Sequence, residues 1–435
     1  MFTHYIELAV RSLRRNPVLA ALMVLAIGLG IGASITTLTV LHLLSGDPLP
    51  QKSAVLYYPQ IDPRDATPDG DSSHQEPPPQ LTYIDAMNLL QAHRADRQAV
   101  MVAGTLAIRP PQGIKAFYAD ARETSADFFP MFATPFQYGG PWTSADDEAR
   151  ARVAVISKAL NDKLFGGRNS VGQTLHINDS EFRIVGVLQQ WRPAPRFYDL
   201  LSRAAFGQGE DVFVPFLTGR ELKLGISGSI NCWGRDANID NLQTAPCVWL
   251  QFWVELDSPA KARAYKEFLR QYSLEQKALG RFQLPPNVRL RSLMEWLSYK
   301  KAVPGDVRLQ AWLAAGFLLV CLVNTVGLLL AKFLRRAPEI GVRRALGASR
   351  RAVFLQFLTE AGVIGLAGGA LGLLLSVVGL WVVRQQPADY ADLAHLDLTM
   401  FCTTFIAAVL ASLAAGLLPA WRACQVPPAM QLKAN

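Results

Sequence analysis

Four stretches of this chain are long and apolar enough to cross a lipid bilayer, and they restrict every other choice the chain can make. They occupy residues 18–44, 309–331, 353–383 and 398–421. A spanning helix needs roughly 20 apolar residues, and each stretch reaches or exceeds that. Hydrocarbon offers no water to exposed peptide groups, so a segment crossing it must bond its own backbone as a helix. Buried helices of a soluble core fit these lengths poorly. The third stretch is glycine-rich and long, which leaves room for a tilt or kink. The first follows a basic segment, as a secretory signal would. Its apolar run exceeds the roughly 7–15 residues of a signal h-region, and Leu43-Leu44-Ser45-Gly46 lacks a clean cleavage site. It reads as a retained anchor.

Lys and Arg near the spans set the orientation. Arg11, Arg14 and Arg15 precede the first; Lys332, Arg335, Arg336, Arg343, Arg344, Arg350 and Arg351 lie between the second and third; Arg422 and Lys433 follow the fourth. Arg384 faces Asp389, Asp392 and Asp397 in the remaining loop. Both termini and the second loop are therefore expected in the cytoplasm. The expected order is an amphipathic interfacial helix at 1–16, spans at 17–45, 308–332, 353–384 and 398–421, a large external domain at 46–307, a cytoplasmic loop at 333–352, a short external loop at 385–397 and a tail at 422–435. The net charge of +8 concentrates in the cytoplasmic pieces, where it faces anionic membrane lipids. It is a topology signal rather than a nucleic-acid footprint.

The fold class is thus membrane α-helical with four transmembrane helices, plus a mixed α/β extracytoplasmic domain of two subdomains. Residues 61–79, rich in Pro, Asp, Ser and Gly, read as a loop. Residues 81–93 and 259–279 read as helices. Residues 153–156, 176–177, 182–187, 248–256 and 288–290 carry the β-branched character of strands. Of five cysteines, Cys232 and Cys247 fall in the external domain. Two cysteines close in sequence in an oxidising compartment suggest a disulfide, with two free thiols as the alternative.

The chain has no G-x-x-x-x-G-K-[ST] phosphate loop, no H-E-x-x-H pair and no G-x-S-x-G elbow. No catalytic residue and no metal site follows from the sequence. The spans hold few ionisable groups, so they offer no polar path for a solute. Glu360 is the exception, and its plain reading is an interfacial residue paired with a nearby Arg. Gly28 and Gly32 in the first span, and Gly365 and Gly369 in the third, permit close helix approach; glycines facing lipid are the alternative. Between the second and third spans, Ile340, Val342 and Leu346 form an apolar strip among basic residues, preceded by Pro338. A solvated loop does not need that strip. A helix docking on a cytoplasmic partner does.

The run Glu339-Ile340-Gly341-Val342-Arg343-Arg344-Ala345-Leu346-Gly347-Ala348, followed by Gln356-Phe357-Leu358-Thr359-Glu360-Ala361 and the glycines of 365–372, resembles the signature of the MacB/FtsX-type ABC permease family. Val153-Ala154-Val155-Ile156-Ser157, Leu164-Phe165-Gly166, Val171-Gly172-Gln173 and Ile184-Val185-Gly186-Val187 are similar to the periplasmic core of that family. Leu418-Pro419-Ala420-Trp421-Arg422-Ala423 resembles its C-terminal end. Residues 189–247 carry no family pattern. The resemblance implies a mechanotransmitting permease subunit in a bacterial inner membrane, with a β-rich insert at roughly 115–245. It implies a dimer with an identical or paralogous permease and two copies of a cytoplasmic ABC ATPase. That partner would bind ATP and Mg, leaving this chain without a cofactor. Pro338, Glu339, Ile340, Gly341, Arg343, Arg344, Leu346 and Gly347 would form the ATPase-coupling helix. A periplasmic adaptor and an outer-membrane channel belong to some assemblies of this kind. Export or extraction of a hydrophobic, peptide or lipid-linked substrate is the first expectation. Transmembrane signalling to a cell-envelope enzyme is the second.

Overall fold

A computed structural model describes Arg11, residues 15–65, 76–110, 115–234, 238–336, Glu339, Val342, residues 346–394, and Cys402, Phe405, Ile406, Val409, Leu410, Leu413, Ala414, Gly416, Leu417, Pro419, Ala420 and Trp421. In chain order the main elements are α1 (Pro17–Ser45), β1 (Leu56–Gln60), α2 (Tyr83–Ala92), β2 (Arg97–Arg109), β3 (Phe117–Thr124), α3 (Phe128–Met131), β4 (Phe136–Gly139), β5 (Val153–Ile156), α4 (Lys158–Phe165), β6 (Thr174–Ile177), β7 (Ser180–Leu188) and β8 (Val212–Pro215). They continue with α5 (Phe216–Glu221), β9 (Ile226–Ser227), β10 (Asn231–Cys232), β11 (Cys247–Val248), β12 (Gln251–Glu255), α6 (Pro259–Ala278), β13 (Arg289–Ser292), α7 (Leu293–Tyr299), α8 (Gly305–Arg335) and α9 (Arg350–Arg384). The chain divides into a helical unit, up to Ser45 and again from Val303, and an α/β unit from Gly46 to Ala302.

Among the described residues, α1, α8 and α9 are the three helices long and apolar enough to cross a membrane. The fourth expected span falls partly outside the described residues; those described from Cys402 to Trp421 are helical. The expected interfacial helix at 1–16, apart from Arg11, Arg15 and Asn16, and the tail at 422–435 also lie outside them.

In the helical unit α1 packs against both α8 and α9. Met23, Ile27, Ile31 and Ile35 bury one stripe of α1 against Leu329, Phe333, Phe357 and Ile364. Small residues set the distance. A Cβ at Gly372 would lie 2.6 Å from Ile31 Cγ2 and 3.2 Å from the Gly28 carbonyl oxygen. A Cβ at Gly32 would lie 2.8 Å from Leu375 Cβ, and one at Gly368 would lie 2.6 Å from Ile27 Cγ2. Gly28 and Gly32 therefore meet Leu371, Gly372 and Leu375, while Gly369 faces Phe405. Gly365 is buried. Towards α8, Ser34 Oγ donates to the Ala314 carbonyl at 3.2 Å.

The α/β unit is built on one sheet ordered β13-β1-β12-β2-β3-β8-β5-β7-β4, with β6 on β2 and β7 and β9 on β2. The two expected subdomains do not break this sheet. β2 runs for 13 residues, pairing with β12 at one end and with β3, β6 and β9 beyond. One strand thus links both ends of a single continuous sheet. Helix boundaries follow local chemistry. Thr82, Ser157, Ser258 and Ser292 cap α2, α4, α6 and α7 through their hydroxyls. Gly166, at φ +63°, ends α4 in the left-handed conformation that suits glycine. β5 and β12 are buried throughout. The loop expected at 61–79 is held at its described ends, where Tyr58 Oη donates to the Pro79 carbonyl and Gln60 to Pro77 and Pro78; residues 66–75 lie outside the described set.

Two predictions follow from packing. Gly372→Leu should lower the stability of the detergent-solubilised protein by about 1–3 kcal/mol through overpacking. Gly327→Leu, in α8 with no described atom within 4 Å of its Cβ position, should stay within about 0.5 kcal/mol of wild type. Thermal unfolding of the two variants checks the contrast.

Candidate functional site

Among the described residues of the spans, buried charges gather near the end of α8, where it meets α9. At the end of α8, Lys332 is 2% exposed and pairs with Glu360 of α9, itself 1% exposed. Arg336 Nη1 approaches the other Glu360 oxygen at 3.4 Å and Arg336 Nε lies 3.3 Å from Glu339. Lys332, Glu360, Arg336 and Glu339 thus form a chain of charges from the α8–α9 interface into the segment between those helices. Phe333 and Phe357 pack beside it with ring centroids 4.1 Å apart. The interfacial Arg partner expected for Glu360 is the secondary one. Lysine is the primary partner: Lys332, four residues before Arg336 and near the end of α8, is 2% exposed, whereas Arg336, just past that end, is 19% exposed.

Of the residues expected to couple to an ATPase, Pro338, Ile340, Gly341, Arg343 and Arg344 lie outside the described residues. Leu346 is 83% exposed and Val342 55% exposed. Gly347 takes φ +98° and starts the turn into α9, whose first turn is capped by Ser349 Oγ accepting from the Ala352 N–H. Apolar side chains held out on a basic segment cost exposure unless another surface covers them. Nothing within the described part of the chain covers Leu346.

The α/β unit carries two features that involve residues 189–247, where the sequence alone shows no family motif. Arg122, at the heart of the sheet on β3, donates to Asp199 at 2.6 Å and to Glu210 through Nε at 3.0 Å, with all three side chains 0% exposed. Tyr198 Oη donates to Glu210 at 2.6 Å, and Gln251 donates to Asp199 at 2.7 Å. Burial pushes both carboxyls up, but Arg122 overrides it and holds Asp199 and Glu210 below the usual carboxylate range. The segment containing residues 196–210 is thereby locked onto the sheet. Further on, Cys232 and Cys247 face each other across the β10–β11 pair and are joined by a disulfide. Sequence reasoning found the disulfide but not the charge network, since Arg122, Asp199 and Glu210 are spread over 88 residues. Among the described residues no group of three or more His, Cys, Asp or Glu converges as metal ligands.

These arrangements yield two tests. Glu360→Leu should cost about 3–5 kcal/mol by leaving Lys332 buried and unpaired, and the double change Lys332→Leu/Glu360→Leu should recover most of that loss. In the α/β unit, Arg122→Met should cost a similar amount. Asp199 and Glu210 titrate lower in the fold than their unfolded values of about 3.9 and 4.3, so their stabilisation is present above those values and is lost as pH falls through them toward the lowered folded values. Acid unfolding followed by tryptophan fluorescence should show a shallower acid limb in Arg122→Met than in wild type.

Residues 20–272 match the family described as MacB-like periplasmic core domain, and residues 312–428 match FtsX-like permease C-terminal. The Macrolide export ATP-binding/permease protein MacB of Marinobacter nauticus is 26% identical over 294 residues, which cover 66% of this chain and 39% of that protein. The Pyoverdine export ATP-binding/permease protein PvdT of Pseudomonas entomophila is 25% identical over 369 residues, covering 82% of this chain and 49% of that protein. The chain therefore spans less than half the length of these curated relatives. The crystallised periplasmic region of MacB from Actinobacillus actinomycetemcomitans aligns with 58% of this chain and 96% of its own length, at 13% identity and a TM-score of 0.36.

Proposed function

Because this chain belongs to the MacB/FtsX-like ABC permease family, we propose that it is a non-catalytic permease subunit that couples ATP hydrolysis by a separate cytoplasmic ATPase to movement of its periplasmic domain. The observation that carries this reading is the exposed apolar pair Val342 and Leu346 on a basic segment, tied by Arg336 and Glu339 to the Lys332–Glu360 pair. A force applied to that segment acts on α8 and α9 at once. α1 packs on both helices, and the chain passes from α1 into the α/β unit at Gly46 and returns at Val303. Movement thus has a covalent route outward at each end of the external domain.

The spans offer no string of charges for a solute to follow, so the substrate is handled outside the membrane. A hydrophobic, peptide or lipid-linked compound fits that route. Two permeases, identical or paralogous, and two ATPases complete the assembly, in an inner membrane with four spans per permease and both termini in the cytoplasm. ATP and Mg are bound by the ATPase. A periplasmic adaptor and an outer-membrane channel extend the path where the cell has them. The match of residues 312–428 to an FtsX-like C-terminal region supports a second use of the same lever, regulation of a cell-envelope enzyme. Altered cell shape after deletion favours regulation; altered sensitivity to toxic compounds favours export.

The test exploits the exposure of Leu346, which frees it from any part in the described fold. Leu346→Glu should leave the amount of permease in the membrane unchanged. It should cut recovery of a soluble P-loop ATPase with the tagged permease by about tenfold or more, the effect of losing a single apolar anchor. Undiminished capture and ATPase activity in Leu346→Glu and in Glu339→Lys would remove the coupling assignment.

A further inference from the structure

Where α1 begins and α8 ends, a cavity of about 320 Å³ opens between them, with Arg15, Lys332, Arg335 and Arg336 in its lining. Its floor is apolar: Val18 and Leu22 of α1 line it and are 73% and 51% exposed. The four cations are not equivalent. Lys332 is consumed by Glu360, and Arg336 reaches both Glu360 and Glu339. Arg15 and Arg335 have no carboxylate partner among the described residues. Two guanidinium groups without a carboxylate partner among the described residues therefore line a concave space whose other lining is Asn16, Pro17 and the aliphatic Val18, Leu19 and Leu22.

That combination differs from the ordinary excess of arginine beside a span. Arginines that serve topology alone spread around the helix ends and reach for bulk water or scattered headgroups. Here they meet across two helices over a cavity whose apolar wall continues along α1. A planar guanidinium presents parallel N–H donors matched to phosphate oxygens. Basic pockets between membrane helices on the cytoplasmic side are suited to acidic headgroups.

We propose that this cavity binds one anionic phospholipid of the inner leaflet, its phosphodiester held between Arg15 and Arg335 and an acyl chain lying along Val18 and Leu22. The lipid would bridge α1 to α8 next to the Lys332–Glu360 pair, and so bias the helices proposed to carry the coupling movement. The inference rests on the membrane orientation in the proposed function and not on the ATPase partner, so loss of ATPase capture leaves it standing.

The experiment compares full-length protein in neutral detergent, supplied with phosphatidylglycerol, phosphatidylcholine or inorganic phosphate, by native mass spectrometry and thermal unfolding. Wild type should retain phosphatidylglycerol over phosphatidylcholine by about tenfold or more, the scale of two near-surface charges, and only the anionic lipid should raise the unfolding temperature. Arg15→Gln/Arg335→Gln should lose that preference, while Arg15→Lys/Arg335→Lys keeps part of it. Arg351→Gln, at the start of α9 outside the cavity, should behave as wild type and reports on folding and on non-specific charge. Equal retention of the two lipids by wild type would overturn the proposal. So would an unchanged preference in the double Gln variant. The same stabilisation by inorganic phosphate alone would make this an ion site and overturn the lipid assignment.

Discussion

Close approach of α1 to α9 is the contact on which the helical unit depends. Inside a bilayer, lipid tails are as apolar as leucine, so burial by itself brings little advantage and helices associate through van der Waals fit. Gly28 and Gly32 on one helix and Gly368 and Gly372 on the other remove the side chains that would hold the backbones apart. The large partners Ile27, Ile31, Leu371 and Leu375 then drop into the spaces so created. With α1 seated, the Ser34 hydrogen bond to α8 and the apolar cluster around Phe333 and Phe357 can form. α8 contributes differently: Trp312, Leu313, Leu319 and Val323 remain exposed on its outer surface, so it is held by one stripe rather than enclosed.

The α/β unit solves the opposite problem. Water surrounds it, apolar burial is strong, and three clusters of large side chains fill the spaces around the sheet. Into this setting the chain places Arg122 with two carboxylates, all fully buried. A buried network of this kind is a poor source of stability compared with hydrocarbon of the same volume, and a strong source of selectivity. Its geometry accepts one path of the segment around residues 196–210 and rejects others, because any other path leaves a charge unpaired. Tyr58 stacked on Trp296, with ring centroids 3.8 Å apart, provides the non-directional counterpart at the β1–α7 end.

What could be read from residue order was what depends on local composition. The apolar helices, the helices at 81–93 and 259–279, the mixed α/β character and the Cys232–Cys247 pair all follow from short stretches or from a set of two. Partnerships that span the chain could not be read. Residue order offers Glu360 several basic neighbours, and an arginine is the natural choice. The pairing with Lys332 emerges only once α8 and α9 are set side by side. The same holds for Arg122, whose acids lie 77 and 88 residues away, and for the cavity at Arg15 and Arg335, whose two cations are far apart in the sequence. The two subdomains expected outside the membrane are a third case. No local signal says that a strand as long as β2 will link one continuous sheet.

The Lys332–Glu360 pair has a consequence for how the chain is made. The two residues are 28 positions apart, and synthesis delivers the lysine first. At that moment α8 ends in a cation that has no counter-ion, at a depth where an isolated charge is costly. Neutralisation waits until α9 has been synthesised and turned back. The helices are thus better suited to enter the bilayer as a hairpin than one after the other. A pair that looks in the finished protein like a simple fastening is, during biosynthesis, a timing device that favours joint insertion of two helices.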